Sequence, residues 1–141
     1  MAAFNKFNQF VEDLAEKVHN LGADTIKVAL TNTAPVATNT VFANITEIAA
    51  GNGYTAGGTA TTITSSAQTS GTYKLVVTDV VFTASGGTIG PFRYAVVYND
   101  TPTSPADPLI AWFDYGSSIT LNPTETFTAD FDASAGLLTI V

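Results

Sequence analysis

The chain has 141 residues, of which 45% are hydrophobic and 12% are charged, and its formal net charge is −7 at pH 7. This length predicts one domain, residues 1–141, with a sizeable core, and the acidic balance argues against direct binding to nucleic acid. The absence of cysteine excludes disulfides, thiolate metal sites and cysteine nucleophiles. We find no signal peptide and no run of about 18 apolar residues, so we expect synthesis in a cytoplasm and no membrane partner.

The first segment, FNKFNQFVEDLAEKVHNLG at residues 4–22, has the only clear helical periodicity of the sequence. Its apolar residues recur at intervals of three and four, and a glycine follows them. We therefore predict an amphipathic helix over residues 4–21. The stripe consists of Phe4, Phe7, Val11, Leu14, Val18 and Leu21, and it is widened by Phe10 and Ala15.

The apolar stripe of this segment is our candidate interface. Three phenylalanines within seven residues are a large apolar surface, and a sheet with an apolar face needs a cover. Two interpretations stay open, because the stripe can pack on the protein's own sheet or dock on another subunit. The candidate interface residues are Phe4, Phe7, Phe10, Val11 and Leu14.

A period of two replaces the helical period after Gly22. TIKVALTN (25–32) predicts a strand with Ile26, Val28 and Leu30 on one face. VFANITEIAA (41–50) fits either a short helix or a bent strand. GNGYTAGGTA (51–60) contains four glycines and predicts a mobile loop. The threonine-rich TATTITSS (59–66) then predicts a polar edge strand.

Further strands follow in the second half. YKLVVTDVVFTA (73–84) predicts one long strand with a bulge near Thr78 and Asp79. FRYAVVY (92–98) places Phe92, Tyr94, Val96 and Tyr98 on one face. LIAWFDYG (109–116) is apolar on both faces and predicts a central strand. The remaining predicted elements are the surface loop NDTPTSPADP (99–108), SITL (118–121), ETFTADF (125–131) and LLTIV (137–141).

Seven or eight short strands with turn signals between them predict a mainly β fold. We expect an antiparallel β-sandwich of jelly-roll or Greek-key type over residues 24–141, with the amphipathic α-helix before it.

Possible ligand sites are each weak in the sequence. The glycines of GNGYTAGG precede a strand and not a helix, which argues against phosphate binding. Asp130 and Asp132, with Asp100 or Asp107, supply few of the six to eight oxygens that calcium needs. Trp112 and Asp114 are possible elements of a sugar platform, although strand geometry turns Phe113 and Tyr115 the other way.

Catalytic residues are equally poorly supported. His19 is the only histidine and has no nucleophilic serine setting near it. Glu47 and Glu125 offer two carboxylates, but nothing around them predicts a raised pKa. We therefore expect no enzyme activity, no cofactor and no metal site.

Several long segments resemble small structural proteins of tailed bacteriophages. They are FVEDLAEKVHNLGADTIKVALTNTAPV, EIAAGNGYTAGG, GPFRYAVVYNDTPTSPADPLIAWFDYGSSITL and ETFTADFDASAGLLTI, and together they cover almost the whole chain. The resemblance implies a virion structural protein of the capsid cement or decoration type. Such proteins bind between major capsid proteins, stabilise the head and assemble as dimers or trimers.

This resemblance sets the expected partners and location. We expect the chain on the capsid surface of a virion, in contact with the major capsid protein and with copies of itself. The alternatives are a tail, neck or fibre component of the same virion, and a carbohydrate-binding adhesion module. The copy number per particle separates a tail, neck or fibre component from a cement protein. Glycan binding tests the carbohydrate-binding role.

Overall fold

The computed structural model describes residues 2–141. Within that range the chain forms ten strands, one α-helix and one 3-10 helix. The helices are α1 (Phe10–Ala15) and the 3-10 helix Phe42–Asn44. The strands are β1 (Asn5–Lys6), β2 (Ile26–Thr31), β3 (Thr59–Ala60), β4 (Ile63–Thr69), β5 (Thr72–Val77), β6 (Val80–Thr83), β7 (Ile89–Asn99), β8 (Leu109–Leu121), β9 (Thr126–Ala129) and β10 (Leu138–Ile140).

The strands form three sheets, and every pairing is antiparallel. The largest sheet has the order β1-β8-β7-β2-β3, the second has the order β10-β5-β4, and β6 pairs with β9 alone. This confirms the predicted mainly β, antiparallel fold with a helix near the N-terminus, and the arrangement is compatible with a sandwich.

The main core lies on one face of the five-stranded sheet. Ile26, Val28 and Leu30 of β2 all point into it, as their alternation predicted, and they meet buried side chains of the smaller sheets such as Leu75 and Phe82. A second, smaller cluster lies on the opposite face. It consists of Phe7, Ala29, Val96, Tyr98 and Leu109, with Phe42, Ile45 and Trp112 packed against it.

The single long strand predicted over residues 73–84 is two strands. β5 belongs to the sheet of β4 and β10, whereas β6 pairs with β9. Thr78 and Asp79 lie between them, at the place where the alternation slips, and the Asp79 carboxylate accepts the N–H of Phe131 at 2.8 Å. The slip therefore marks the passage of the chain from one sheet to another, and the predicted bulge is wrong.

The predicted face of β7 is correct only in part. Val96 and Tyr98 lie in the smaller cluster, but Phe92 is buried in the main core together with Ala95 and Val97. The pairing of β7 with β8 shifts register around Phe92 and Tyr94, which reverses the alternation at that point. β8 is apolar on both faces, as predicted, because Leu109 and Ile110 enter different clusters.

The segments between β2 and β5 contain a short helix, exposed edge strands and the glycine-rich loop. Residues 42–44 form a short helix, one of the two structures that the sequence allowed there. The single edge strand predicted over residues 59–66 is divided between β3 and β4, which lie at the edges of two different sheets, and β4 is exposed. The glycine-rich loop has no regular element between residues 51 and 58, but it is anchored by Tyr54, which is 3% exposed. This anchoring argues against the predicted mobility of the loop.

Candidate functional site

The N-terminal segment is only partly helical. Asn5 and Lys6 form β1, which pairs with Trp112 and Ala111 of β8, and α1 spans Phe10–Ala15 instead of residues 4–21. Lys17 has a φ of 66°, a left-handed conformation that ends the helix. The predicted boundaries are therefore wrong, because the spacing of three and four is shared by a strand, a turn and a helix of six residues.

Two of the five candidate interface residues are buried by the chain itself. Phe7 is 0% exposed and its ring centroid lies 4.6 Å from that of Trp112, while Phe10 is 4% exposed and packs against His19. Their apolar surface is already covered, so Phe7 and Phe10 are not available to a partner. For these two residues the structure favours packing within the protomer.

The other candidate residues line an open groove. Phe4, Val11 and Leu14 line it together with Lys6, the buried Phe10 and residues 138–141, and we call this set the Val11 groove. Its volume is about 430 Å³. Phe4, Val11, Ile140 and Val141 are 37%, 51%, 37% and 101% exposed, respectively, and they are four of the seven large hydrophobic residues exposed within residues 2–141.

A second apolar groove lies next to the first. It has a volume of about 170 Å³ and its aromatic lining consists of Phe113, Tyr115, Phe127 and Phe131, so we call it the aromatic groove. Phe4 packs edge-on against Phe113 with a centroid distance of 5.9 Å, and Phe113 makes the same type of contact with Phe131. These contacts connect the two grooves into one largely apolar region of the surface.

The sequence identifies only part of this region. Its pattern places Ile140 and Val141 in a closing strand, and nothing in their spacing predicts that β10 lies beside α1. Alternation likewise predicts that Phe127 lies in a strand, but it does not predict that this residue lines the aromatic groove. Both relationships depend on contacts between segments far apart in sequence.

The possible sugar platform is not assembled. Trp112 packs on Phe7 on one face of β8, and Asp114 is held by Arg93 through two hydrogen bonds of 2.8 and 2.9 Å. The guanidinium of Arg93 and the N–H of Gly116 keep the pKa of the Asp114 carboxyl below its usual value. The aromatic ring and the acid are therefore engaged in contacts within the chain.

The acidic residues considered for calcium or catalysis lie apart. Within residues 2–141 no group of three or more His, Asp and Glu side chains is arranged to hold a metal ion. Four of these six carboxylates instead have a local partner. Asp132 accepts the N–H groups of Ser134 and Ala135, Asp100 pairs with Lys27 at 2.9 Å, Glu125 accepts the N–H of Asn122, and Glu47 accepts that of Gly57.

His19 is a buried titratable side chain. It is 6% exposed, and its Nδ1 accepts a hydrogen bond from the side-chain amide of Asn99 at 3.1 Å. The same amide donates to Asp24 at 2.6 Å. Burial lowers the pKa of His19, although the nearby carboxylates of Asp13 and Asp24 act in the opposite direction. Folding therefore favours the neutral form of this imidazole.

We expect the protein to lose stability as the pH falls below about 6.5, the ordinary pKa of a histidine side chain in an unfolded chain. In that range the unfolded chain binds a proton at His19 that the folded chain does not, so the free energy of unfolding falls, by at most about 1.4 kcal/mol per pH unit for one site. Urea unfolding of the protein and of His19→Gln between pH 7.5 and 5 measures the difference. If both proteins show the same pH dependence, the burial of His19 has no energetic consequence.

Comparison with known proteins gives no relative. The chain matches no family model, no curated protein and no solved structure. In the part of the chain that the structure describes, no helix has both the length and the apolar character needed to cross a bilayer.

Proposed function

We propose that the chain is a non-enzymatic structural protein of a phage virion, a capsid cement that docks on the major capsid protein through the Val11 groove. The observation that carries this proposal is the concentration of exposed apolar side chains in that groove. Single exposed hydrophobic residues are normal, but a contiguous set rimmed by polar residues is typical of a protein-binding surface.

The surroundings of the groove support a protein partner. Lys6 has the only charged side chain among the described residues that line it. The aromatic groove continues the same apolar region, with Tyr115 55% exposed at its edge. Aromatic side chains contribute much of the energy of protein interfaces, because they bury large areas at a small cost in conformational entropy.

A cement protein acts by mass action. It binds the assembled shell and not the separated subunits, so each occupied site stabilises the shell by RT ln(1 + [L]/Kd). Many sites on one particle add up to a large effect from a modest affinity at each. The resemblance to small phage structural proteins points to this role, and the capsid surface is the location that we propose.

Of the other two roles, a virion tail component fits the surface equally well and a carbohydrate-binding module fits it less well. A tail, neck or fibre component has the same need for an apolar docking surface, and only its copy number would differ. A carbohydrate-binding module needs an exposed ring beside free polar groups, whereas Trp112 packs on Phe7 and Asp114 is paired with Arg93.

Incorporation of Val11→Glu into particles tests the docking surface. We expect the number of bound copies to fall about tenfold or more, because the contact would have to desolvate a carboxylate. The matched control is Val36→Glu, since Val36 is 54% exposed against 51% for Val11, and the charge change is the same. The variants are supplied in trans to a phage that lacks the gene, and copies per particle are counted.

The Val36→Glu control separates an effect of the Val11 groove from a general effect of an added surface charge. We expect Val36→Glu to be incorporated like the unmodified protein. Equal incorporation of both variants at the unmodified level would show that the Val11 groove is not the docking surface.

A further inference from the structure

The exposed edge of the three-stranded sheet is unusually open. β4 is seven residues long, whereas the other strands with a free edge, β1, β3, β6, β9 and β10, have two to four residues. Proteins normally protect such an edge with charges, proline or a very short strand, because its free N–H and C=O groups are a template for another strand. β4, with the sequence ITSSAQT, has no charged residue and no proline.

The lack of charge extends well beyond β4. Between Lys27 and Lys74 the only charged residue is Glu47, and its carboxylate is bound by the Tyr54 hydroxyl and the Gly57 N–H. The rest of the chain carries most of a net charge of −7. Two copies, each with a net negative charge, therefore repel each other, and β4 lies in a stretch of the sequence whose side chains add almost nothing to that repulsion.

The register of the β4–β5 hairpin determines which main-chain N–H and C=O groups of β4 have no partner in β5. Thr69 and Thr72 flank the two-residue turn Ser70–Gly71, whose φ values of 51° and 84° fit a type I′ turn. Thr69 and Thr72 are consequently a hydrogen-bonded pair, and the alternation of an antiparallel ladder turns the N–H and C=O of Ser66 and Gln68 away from β5.

We propose that β4 pairs with β4 of a second copy, antiparallel and centred on Ala67. In this register Ser66 of one copy lies opposite Gln68 of the other, and the reverse, so the two free N–H groups and two free C=O groups of each strand form four main-chain hydrogen bonds. The two sheets join into one continuous sheet with the order β10-β5-β4-β4-β5-β10. The two Ala67 residues face each other as a non-hydrogen-bonded pair, the type in which opposing strands approach most closely.

A second copy is the partner that these features favour. The free groups of Ser66 and Gln68 are complementary to themselves under a two-fold rotation, which is the commonest symmetry of soluble oligomers. The small side chain of Ala67 permits close approach at the axis. The pairing is a contact between copies in solution, and it does not depend on the proposed binding to a capsid.

Charge variants at Ala67 test the pairing and its register together. The Ala67 side chain is exposed, so Ala67→Glu and Ala67→Lys both fit the fold of the monomer sterically. Lys74 of β5 lies opposite Ala67, so within the monomer the glutamate gains a neighbour of opposite charge and the lysine one of like charge. Like charges directly opposite each other on neighbouring strands are unfavourable. Sedimentation velocity over a concentration series measures self-association, and circular dichroism checks folding.

We expect the unmodified chain to dimerise, and each variant alone to have a dimer dissociation constant raised about tenfold or more. An equimolar mixture of Ala67→Glu and Ala67→Lys should recover dimers, because opposite charges then face each other. Ala34→Glu and Ala34→Lys are the matched controls at an exposed loop position, and we expect them to dimerise normally.

Three results would overturn the proposal. They are an unmodified chain that stays monomeric at every concentration, Ala67 variants that dimerise as strongly as the unmodified chain, and a mixture that does not recover dimers. None of these results bears on incorporation into particles, so this proposal and the proposed function fail independently.

Discussion

Phe7→Ala is expected to lower the free energy of unfolding by about 3–5 kcal/mol, as for other large buried aromatic side chains. Phe7 is 0% exposed, contacts Trp112 and belongs to the smaller cluster with Val96, Tyr98 and Leu109. Removal of the ring leaves a cavity between the N-terminal segment and the five-stranded sheet. Urea unfolding followed by fluorescence and circular dichroism gives the value.

Phe4→Ala is the matched control for this prediction. Phe4 is the same residue type three positions earlier, but it is 37% exposed and lies in the Val11 groove. We expect a loss below about 1 kcal/mol, since surface positions contribute little to stability. If Phe7→Ala is as mild as Phe4→Ala, the N-terminal segment is not part of the protomer's own core.

Tyr54→Phe is expected to lower the free energy of unfolding by about 1.5–3 kcal/mol. The Tyr54 hydroxyl accepts the N–H of Leu30 at 3.0 Å and donates to the Glu47 carboxylate at 2.7 Å. Loss of this one oxygen leaves a buried strand N–H without its partner and removes a hydrogen bond to a charged group. Burial raises the pKa of Tyr54, so the hydroxyl remains a donor throughout the accessible pH range.

The comparison with Tyr115→Phe isolates the role of the hydroxyl. Tyr115 is 55% exposed, and we expect its variant to change stability by less than about 0.5 kcal/mol. Thermal and urea unfolding of both variants measure the difference. An unchanged stability in Tyr54→Phe would mean that the hydroxyl does not hold the glycine-rich loop on β2.

The fold class follows from local patterns, but the connections between strands do not. The alternation of Ile26, Val28 and Leu30 correctly predicts the buried face of β2, because one face of that strand lies on the main core. The segment 73–84 has the composition of one strand, and the move to a second sheet at Thr78 and Asp79 depends on distant pairing with β10 and β9.

The candidate site is also predictable only in part, because local patterns do not show how distant segments pair. The apolar periodicity of residues 4–21 correctly indicates a helix within this segment, yet periodicity alone cannot separate one long helix from a strand followed by a turn and a short helix. Phe7 and Phe10 are buried and Phe4 and Val11 are exposed, because β1 docks on β8 and fixes which side of the segment faces the sheet. Ile140 joins the groove through the pairing of β10 with β5, which no local pattern indicates.

The number of copies in the purified particle, relative to the major capsid protein, tests the central claim most directly. Quantitative mass spectrometry with labelled peptide standards from both proteins gives this ratio. A capsid cement predicts a ratio near one, or a simple fraction of it, because it occupies sites repeated over the whole shell. A few copies per particle would contradict the cement role in favour of a tail, neck or fibre component, and absence of the chain would contradict any virion role.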